Sequence, residues 1–167
     1  MSRPKQLRRL ASGGFTMPEL MIAASITVIV MAISLGVFIN MFKSWHGIEL
    51  RMQADRDVNI AMSRMVYGMG DRLGIRSASD VAFTSNSTGW TLSYPTGGSA
   101  PQSNSFAYST ISSNLVFNPG SQIAGKNLSY ALAIVNANSV VVTLRVDTVD
   151  GALTARREIG TVIYWRN

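Results

Sequence analysis

GGFTMPELMIAASITVIVMAISLGVFINMFK, residues 13–43, is the stretch on which the fold turns. From Leu20 to Phe42 it runs 23 residues without a charge, bracketed by Glu19 and Lys43. About 20 consecutive apolar residues cross a bilayer as a helix, so the run is long enough. Its polar side chains are Ser25, Thr27, Ser34 and Asn40. Serine and threonine hydroxyls can bond back to the helix's own carbonyls, which makes them cheap in lipid. Asn40 stands near the far end, and Trp45 and His46 follow Lys43, where an interfacial aromatic belongs. A cleaved secretory signal would have an apolar region of roughly 7–15 residues and then a small-x-small site. This run is longer, and polar helix-like sequence (Glu49 to Arg56) follows it. The expectation is a helix that stays in the membrane.

Charge supplies the orientation. The 167 residues carry 15 Lys and Arg against 9 Asp and Glu, a formal +6. Arg3, Lys5, Arg8 and Arg9 lie in the first 14 positions, which hold no acid, and the rest of the chain has 11 basic and 9 acidic residues, or +2. Next to an apolar run, such a basic tail is topogenic, because Lys and Arg hold their end in the cytoplasm. The expected topology is single-pass, with the basic N-terminal end cytoplasmic and the rest of the chain on the far side of the membrane.

Between the basic tail and the apolar run stands Gly13-Gly14-Phe15-Thr16-Met17-Pro18-Glu19-Leu20. This resembles the prepilin peptidase recognition sequence of type IV pilins and type II secretion pseudopilins. In that family a short basic leader ends in Gly, a Phe or Met follows, and a Glu stands fifth in the mature chain. The resemblance implies a leader 1–14, a cut between Gly14 and Phe15, N-methylation of Phe15, and Glu19 as the assembly residue that pairs with the terminal ammonium of a neighbouring subunit. It also implies as partners prepilin peptidase, other pilin or pseudopilin subunits and an inner-membrane assembly platform, with a pilus or pseudopilus fibre as the destination. The local chemistry agrees. Gly13 and Gly14 are flexible and offer no side chain to obstruct approach to the backbone. Pro18 is tolerated in a first helical turn, where its missing N–H has no partner to lose. A carboxylate at the edge of hydrocarbon is costly unless paired or near headgroups, which singles out Glu19.

Beyond Lys43 the pattern becomes amphipathic. Trp45, Ile48, Met52, Met62, Met65, Met69 and Leu73 recur at helical spacings among charged residues, predicting one apolar face on a helix over 44–76. Gly68 and Gly70 lower helix propensity in its last turns. With 15–43 as the transmembrane and assembly segment, one helix from Phe15 to Arg76 would be about 93 Å long. From Ser77 the helical pattern stops. Val81–Thr84, Trp90–Tyr94, Ser113–Phe117, Leu128–Val135, Ser139–Thr148 and Ala152–Trp165 read as strands. Thr96–Ser105 reads as a loop, Asn118-Pro119-Gly120 as a turn and Val149-Asp150-Gly151 as a hairpin turn. The fold class expected is α+β: a long N-terminal helix packed on a small antiparallel sheet of about 4–6 strands in 77–167, the layout that the family resemblance also implies. So small a core needs the helix for stability. The closing strand and the lack of the Cys pair that many major pilins use resemble minor pilins and J-like pseudopilins.

Other chemistries find little support. With no Cys there is no disulfide, thiol catalysis or Cys-based zinc site. His46 is the only histidine, and no phosphate loop, serine elbow or paired His ligands are present. No catalytic residue, metal ligand or cofactor is expected. Asp147 and Asp150 fall short of the six or more oxygens that calcium takes. Arg145, Arg156, Arg157 and Arg166 form a candidate basic patch for nucleic acid, read here as solvated surface. The competing reading is a signal-anchored periplasmic binding protein that does not polymerise.

Overall fold

A computed structural model describes residues 14–96 and 102–165. The leader assigned to 1–14 therefore lies outside the described residues except for Gly14, and so does Arg166. The chain divides into two compact units, one ending at Ser44 and the other beginning at Trp45. Helix α1, Met17–Tyr67, runs through that boundary. Its first part is exposed on every side, and the helix is long and apolar enough to cross a membrane. Ser25 and Thr27 donate their hydroxyls to the carbonyls of Met21 and Ala23, both at 2.8 Å, so neither is an unsatisfied polar group there.

In the second unit α1 buries Leu50, Ala54, Val58, Ala61, Met62 and Met65. Met62 and Met65 are buried as expected, but the N-terminal part of the expected apolar face is corrected. Trp45, Ile48 and Met52 are 73, 54 and 61% exposed and point elsewhere. The stripe includes two alanines, Ala54 and Ala61, where the sheets approach closely. A Cβ added to Gly125 would lie 2.7 Å from the Ala61 Cβ, nearer than such atoms come.

The helix also ends earlier than the expected Arg76. Gly68 has φ 102° and Gly70 φ 58°, in the left-handed region that glycine enters without strain. The chain turns there into a small hairpin, β1 (Gly68–Met69) and β2 (Arg72–Leu73), followed by a 3-10 turn, Ile75–Ser77. A Cβ at Gly68 would meet the Arg72 carbonyl oxygen at 1.9 Å, so no other residue fits.

A five-stranded antiparallel meander follows: β3 (Ala82–Asn86), β4 (Gly89–Thr96), β5 (Gln102–Ser109), β6 (Asn114–Asn118) and β7 (Gln122–Gly125). A second meander contains β8 (Leu128–Val135), β9 (Ser139–Asp150) and β10 (Leu153–Tyr164). The chain is thus α+β, with one long N-terminal helix packed against antiparallel sheets. The expected single sheet is instead two, plus the hairpin. Strands β5 and β7 were not expected. Most of β5 lies in what read as the polar Thr96–Ser105 loop or just beyond it, where Asn104, Phe106 and Tyr108 nonetheless alternate inward.

Period-2 alternation buries Trp90, Leu92 and Tyr94 from β4, and Val140, Val142, Leu144 and Val146 from β9, in one cluster with α1. Aromatic rings line the larger sheet, with Tyr94 and Phe106 stacked at 6.0 Å between centroids and Phe117 tilted against Phe106 at 4.9 Å. The two sheets are sealed by hydrogen bonds to β8. Trp90 Nε1–H donates to the Ala131 carbonyl (2.9 Å), the Tyr108 hydroxyl to that of Leu128 (3.0 Å), and Leu128 N–H to Ser113 (2.8 Å). Tyr94 and Asn104 side chains both donate to the Leu73 carbonyl, which fixes the β1–β2 hairpin to the sheet.

Two substitutions probe this packing by chemical denaturation of the full chain in detergent. Ala61→Leu overpacks the helix–sheet contact and is expected to cost about 1–3 kcal/mol. Leu144→Ala leaves a cavity and is expected to cost about 2–5 kcal/mol. Equal stability of Ala61→Leu and the parent chain would mean that the close approach is absent.

Candidate functional site

The first candidate site is the start of α1. Gly14, Phe15 and Thr16 have no regular secondary structure and are exposed, and among the described residues no atom beyond its chain neighbours comes within 4 Å of a Cβ built on Gly14. The Gly14–Phe15 bond is thus open backbone next to the helix. Thr16 occupies the N-cap, with Leu20 N–H bonded to its carbonyl at 3.1 Å. Glu19 lies three positions on, and its Oε2 accepts from the Thr16 N–H (2.9 Å) and the Thr16 hydroxyl (2.8 Å). This is the glutamate arm of a capping box, satisfying a backbone donor that the helix leaves unpaired. A carboxylate here also meets the positive end of the helix dipole. The sequence reading singled out Glu19 but missed Thr16 as its local partner, although Thr16-x-x-Glu19 is the pattern that announces such a cap.

The second candidate site is in the other unit, where α1 meets β9 and β10. His46 Nε2 lies 2.6 Å from Asp150 Oδ2, and Glu49 Oε2 is 3.7 Å from His46 Nδ1. An ionised carboxylate can only accept, so the Nε2–H donates. Further along α1, Arg157 Nε is 2.6 Å from Asp55 Oδ1. The geometry there is that of an ion pair, because Oδ1 has no aligned hydrogen bond. On the outer face of the small sheet, Arg156 Nε–H donates to Asp147 Oδ1 at 2.9 Å and Arg145 Nε stands 3.7 Å from Oδ2. The Arg145 guanidinium also lies 5.2 Å from the Tyr130 ring centroid.

These pairings bear on two groups of residues singled out in the sequence. Asp147 and Asp150 have different partners, Arg156 and Arg145 for the one and His46 for the other, and do not converge. Among the described residues no group of three or more His, Asp or Glu could hold a metal ion. Arg145, Arg156 and Arg157 are each paired with a carboxylate, which leaves less free charge for a polyanion than their count implies. The grooves are open and shallow. One of about 700 Å³ is lined by Arg76, Ser77, Tyr164 and Trp165, and another of about 350 Å³ by Arg51, Asp55, Thr154, Ala155, Arg156 and Arg157. Neither joins an activated nucleophile to a base. One buried polar atom stands out, Asn104 Oδ1, which has no partner while its amide nitrogen donates to Leu73. The Tyr94 hydroxyl beside it is pushed well above the ordinary phenol range by burial.

Comparison with protein-family models, with curated proteins and with solved structures found no match. The residues themselves therefore carry the functional argument.

Burial works against the charged form of Asp147, but hydrogen bonds from Arg156 and Ser129 and the charges of Arg156 and Arg145 outweigh it. The carboxyl is held below its ordinary value of 3.8. A depressed folded-state pKa contributes stability that is present above the unfolded value and lost as pH falls through the folded one. Acid titration of unfolding should therefore show a loss below about pH 4 that is smaller in Asp147→Asn, checked by circular dichroism. Identical acid limbs in the two chains would contradict this.

Proposed function

We propose that this chain is the precursor of a type IV pilin-like subunit, a minor pilin or J-like pseudopilin. In this reading it is processed by prepilin peptidase and polymerises through its N-terminal helix. The observation that carries the reading is the register of Gly14, Phe15 and Glu19 against the start of an uncharged 23-residue run. The geometry supports it. The bond to be cut is exposed and unstructured, as a peptidase needs, and α1 begins two residues later. Cleavage there removes the basic leader and keeps the apolar helix, so the product stays anchored. The enzyme would then methylate the new amine on Phe15.

Glu19 has two successive partners in this scheme. In the uncut chain its carboxylate is occupied by Thr16. After the cut the Phe15 amine becomes an ammonium, and the carboxylate of one subunit pairs with the ammonium of the next inside the apolar bundle. Such a pair forms where water is scarce, and its two charges offset each other's desolvation. The exposed face of α1 at Trp45, Ile48 and Met52 extends the apolar surface open to neighbouring helices. The subunit performs no reaction of its own and works as a substrate of the peptidase, a client of an inner-membrane assembly platform and a building block, with its β-rich part in the periplasm.

The deciding measurement is N-terminal sequencing and intact mass of the protein from membranes with and without prepilin peptidase. The expected result is a peptidase-dependent start at Phe15 carrying one added methyl. An intact N-terminus in both samples would leave the non-polymerising, signal-anchored binding protein as the reading to pursue. A second prediction concerns Glu19→Ala. It should be cut at Phe15 like the parent but fail to enter fibres, as seen by electron microscopy of sheared filaments. Normal fibre incorporation would remove Glu19 from the assembly step.

A further inference from the structure

The tip of the β9–β10 hairpin is apolar without being covered. Val149 is 64% exposed and Leu153 38% exposed on either side of the Asp150-Gly151-Ala152 turn. Solvated hairpin tips are ordinarily polar, built from Gly, Asn, Asp and Ser. The single charge here, Asp150, is turned back onto His46 at 2.6 Å. His46 is the third residue after Lys43, which closes the uncharged run, and Trp45 lies between them, 73% exposed. The hairpin tip is thus tethered to the part of the chain that follows directly on the apolar run.

We propose that this tip is a foot that rests on the surface of a phospholipid bilayer, with Val149 and Leu153 entering the interfacial layer beside Trp45. The inference depends on the reading of Leu20–Phe42 as a membrane span. Three features favour lipid as the occupant. Trp45 is the residue type that settles at the level of the headgroups, with its ring apolar and its N–H wet. Arg51 makes no hydrogen bond or ion pair among the described residues. It lies six residues, about 9 Å, beyond Trp45 along α1, in the groove it shares with Asp55, Arg156 and Arg157, and a guanidinium without a carboxylate suits a phosphate. The apolar patch is two side chains at the end of one hairpin, whereas a stable protein interface takes roughly 20–30 residues a side. A fluid lipid surface requires no matching shape. The His46–Asp150 pair matters to the foot because it engages the hairpin tip's own carboxylate, while Glu49, 3.7 Å from the other ring nitrogen, stays on the helix.

The chain has no Cys, so single labels report cleanly. Full-length Val149→Cys, Ile33→Cys and Ile111→Cys, each carrying an environment-sensitive fluorophore, would be reconstituted in phosphatidylcholine vesicles. The vesicles would contain lipid spin-labelled either at the headgroup or deep in the acyl chain. Ile33 lies in the apolar run, and Ile111 is 81% exposed in the β5–β6 turn. The expected result is deep quenching at position 33 and headgroup-level quenching at 149 several-fold stronger than at 111. Adding His46→Ala, which leaves the Asp150 carboxylate without its partner, should remove most of the signal at 149. Quenching at 149 no greater than at 111, with 33 in lipid, overturns the foot and leaves the span standing. No quenching at 33 overturns both. Shielding at 149 that rises with protein density and ignores the lipid quencher identifies a second copy as the occupant and also overturns the proposal.

Discussion

Close approach between α1 and the sheets is the constraint on which the second unit depends. Five strands and three strands make two small sheets, and neither encloses a core alone. The volume between them is closed by one helical face made of Ala54, Val58, Ala61, Met62 and Met65. The small residues let the helix axis sit low, and Gly125 leaves room for Ala61. Arg64 then donates to the carbonyls of Ile123 and Ala124 at 3.0 and 3.1 Å, so β7 is held to the helix by polar contacts as well as by packing. Helix and sheets thus stabilise each other, as expected for a segment that could not stay helical by propensity alone.

The same requirement explains which parts of the fold were legible in the sequence. A run such as Leu20–Phe42 has one solution, because every backbone group must be satisfied within the segment. Strand β8 was legible to its ends, and β9 and β10 nearly so, because Val140, Val142, Leu144 and Val146 alternate cleanly. The buried stripe of α1 was misread because large residues were followed. Trp45, Ile48 and Met52 are conspicuous by size, whereas Ala54 and Ala61 carry a weak hydrophobic signal and matter because they are small. The end of α1 was misplaced for a related reason. Met69 and Leu73 continue the helical spacing, and only the backbone angles at Gly68 and Gly70 show that they belong to a turn. Strand β5 went unrecognised because the signal of Phe106 and Tyr108 was diluted by Gln102, Ser103, Asn104 and Ser105. That dilution reflects tertiary context, in which Asn104 is buried against Leu73.

At the site, residue identity was legible and pairing was not. Glu19, His46, Asp150 and the Arg145–Arg157 group can all be picked from the chain by type. Which carboxylate meets which cation depends on strand register. Arg156 stands opposite Asp147, and Arg157, its neighbour in sequence, points to the other face and meets Asp55. A count of arginines overstates the free positive charge for that reason.

The two ties between α1 and the hairpin have a mechanical consequence. His46 holds Asp150 and Asp55 holds Arg157, at levels nine residues apart on the helix, or about 13.5 Å. One tie alone would leave the hairpin free to swing about a single point of the helix. Two ties, with the apolar cluster beside them, fix the angle of the hairpin to this part of α1 as well as its position. Loss of either would therefore be felt as a change of orientation before it is felt as unfolding.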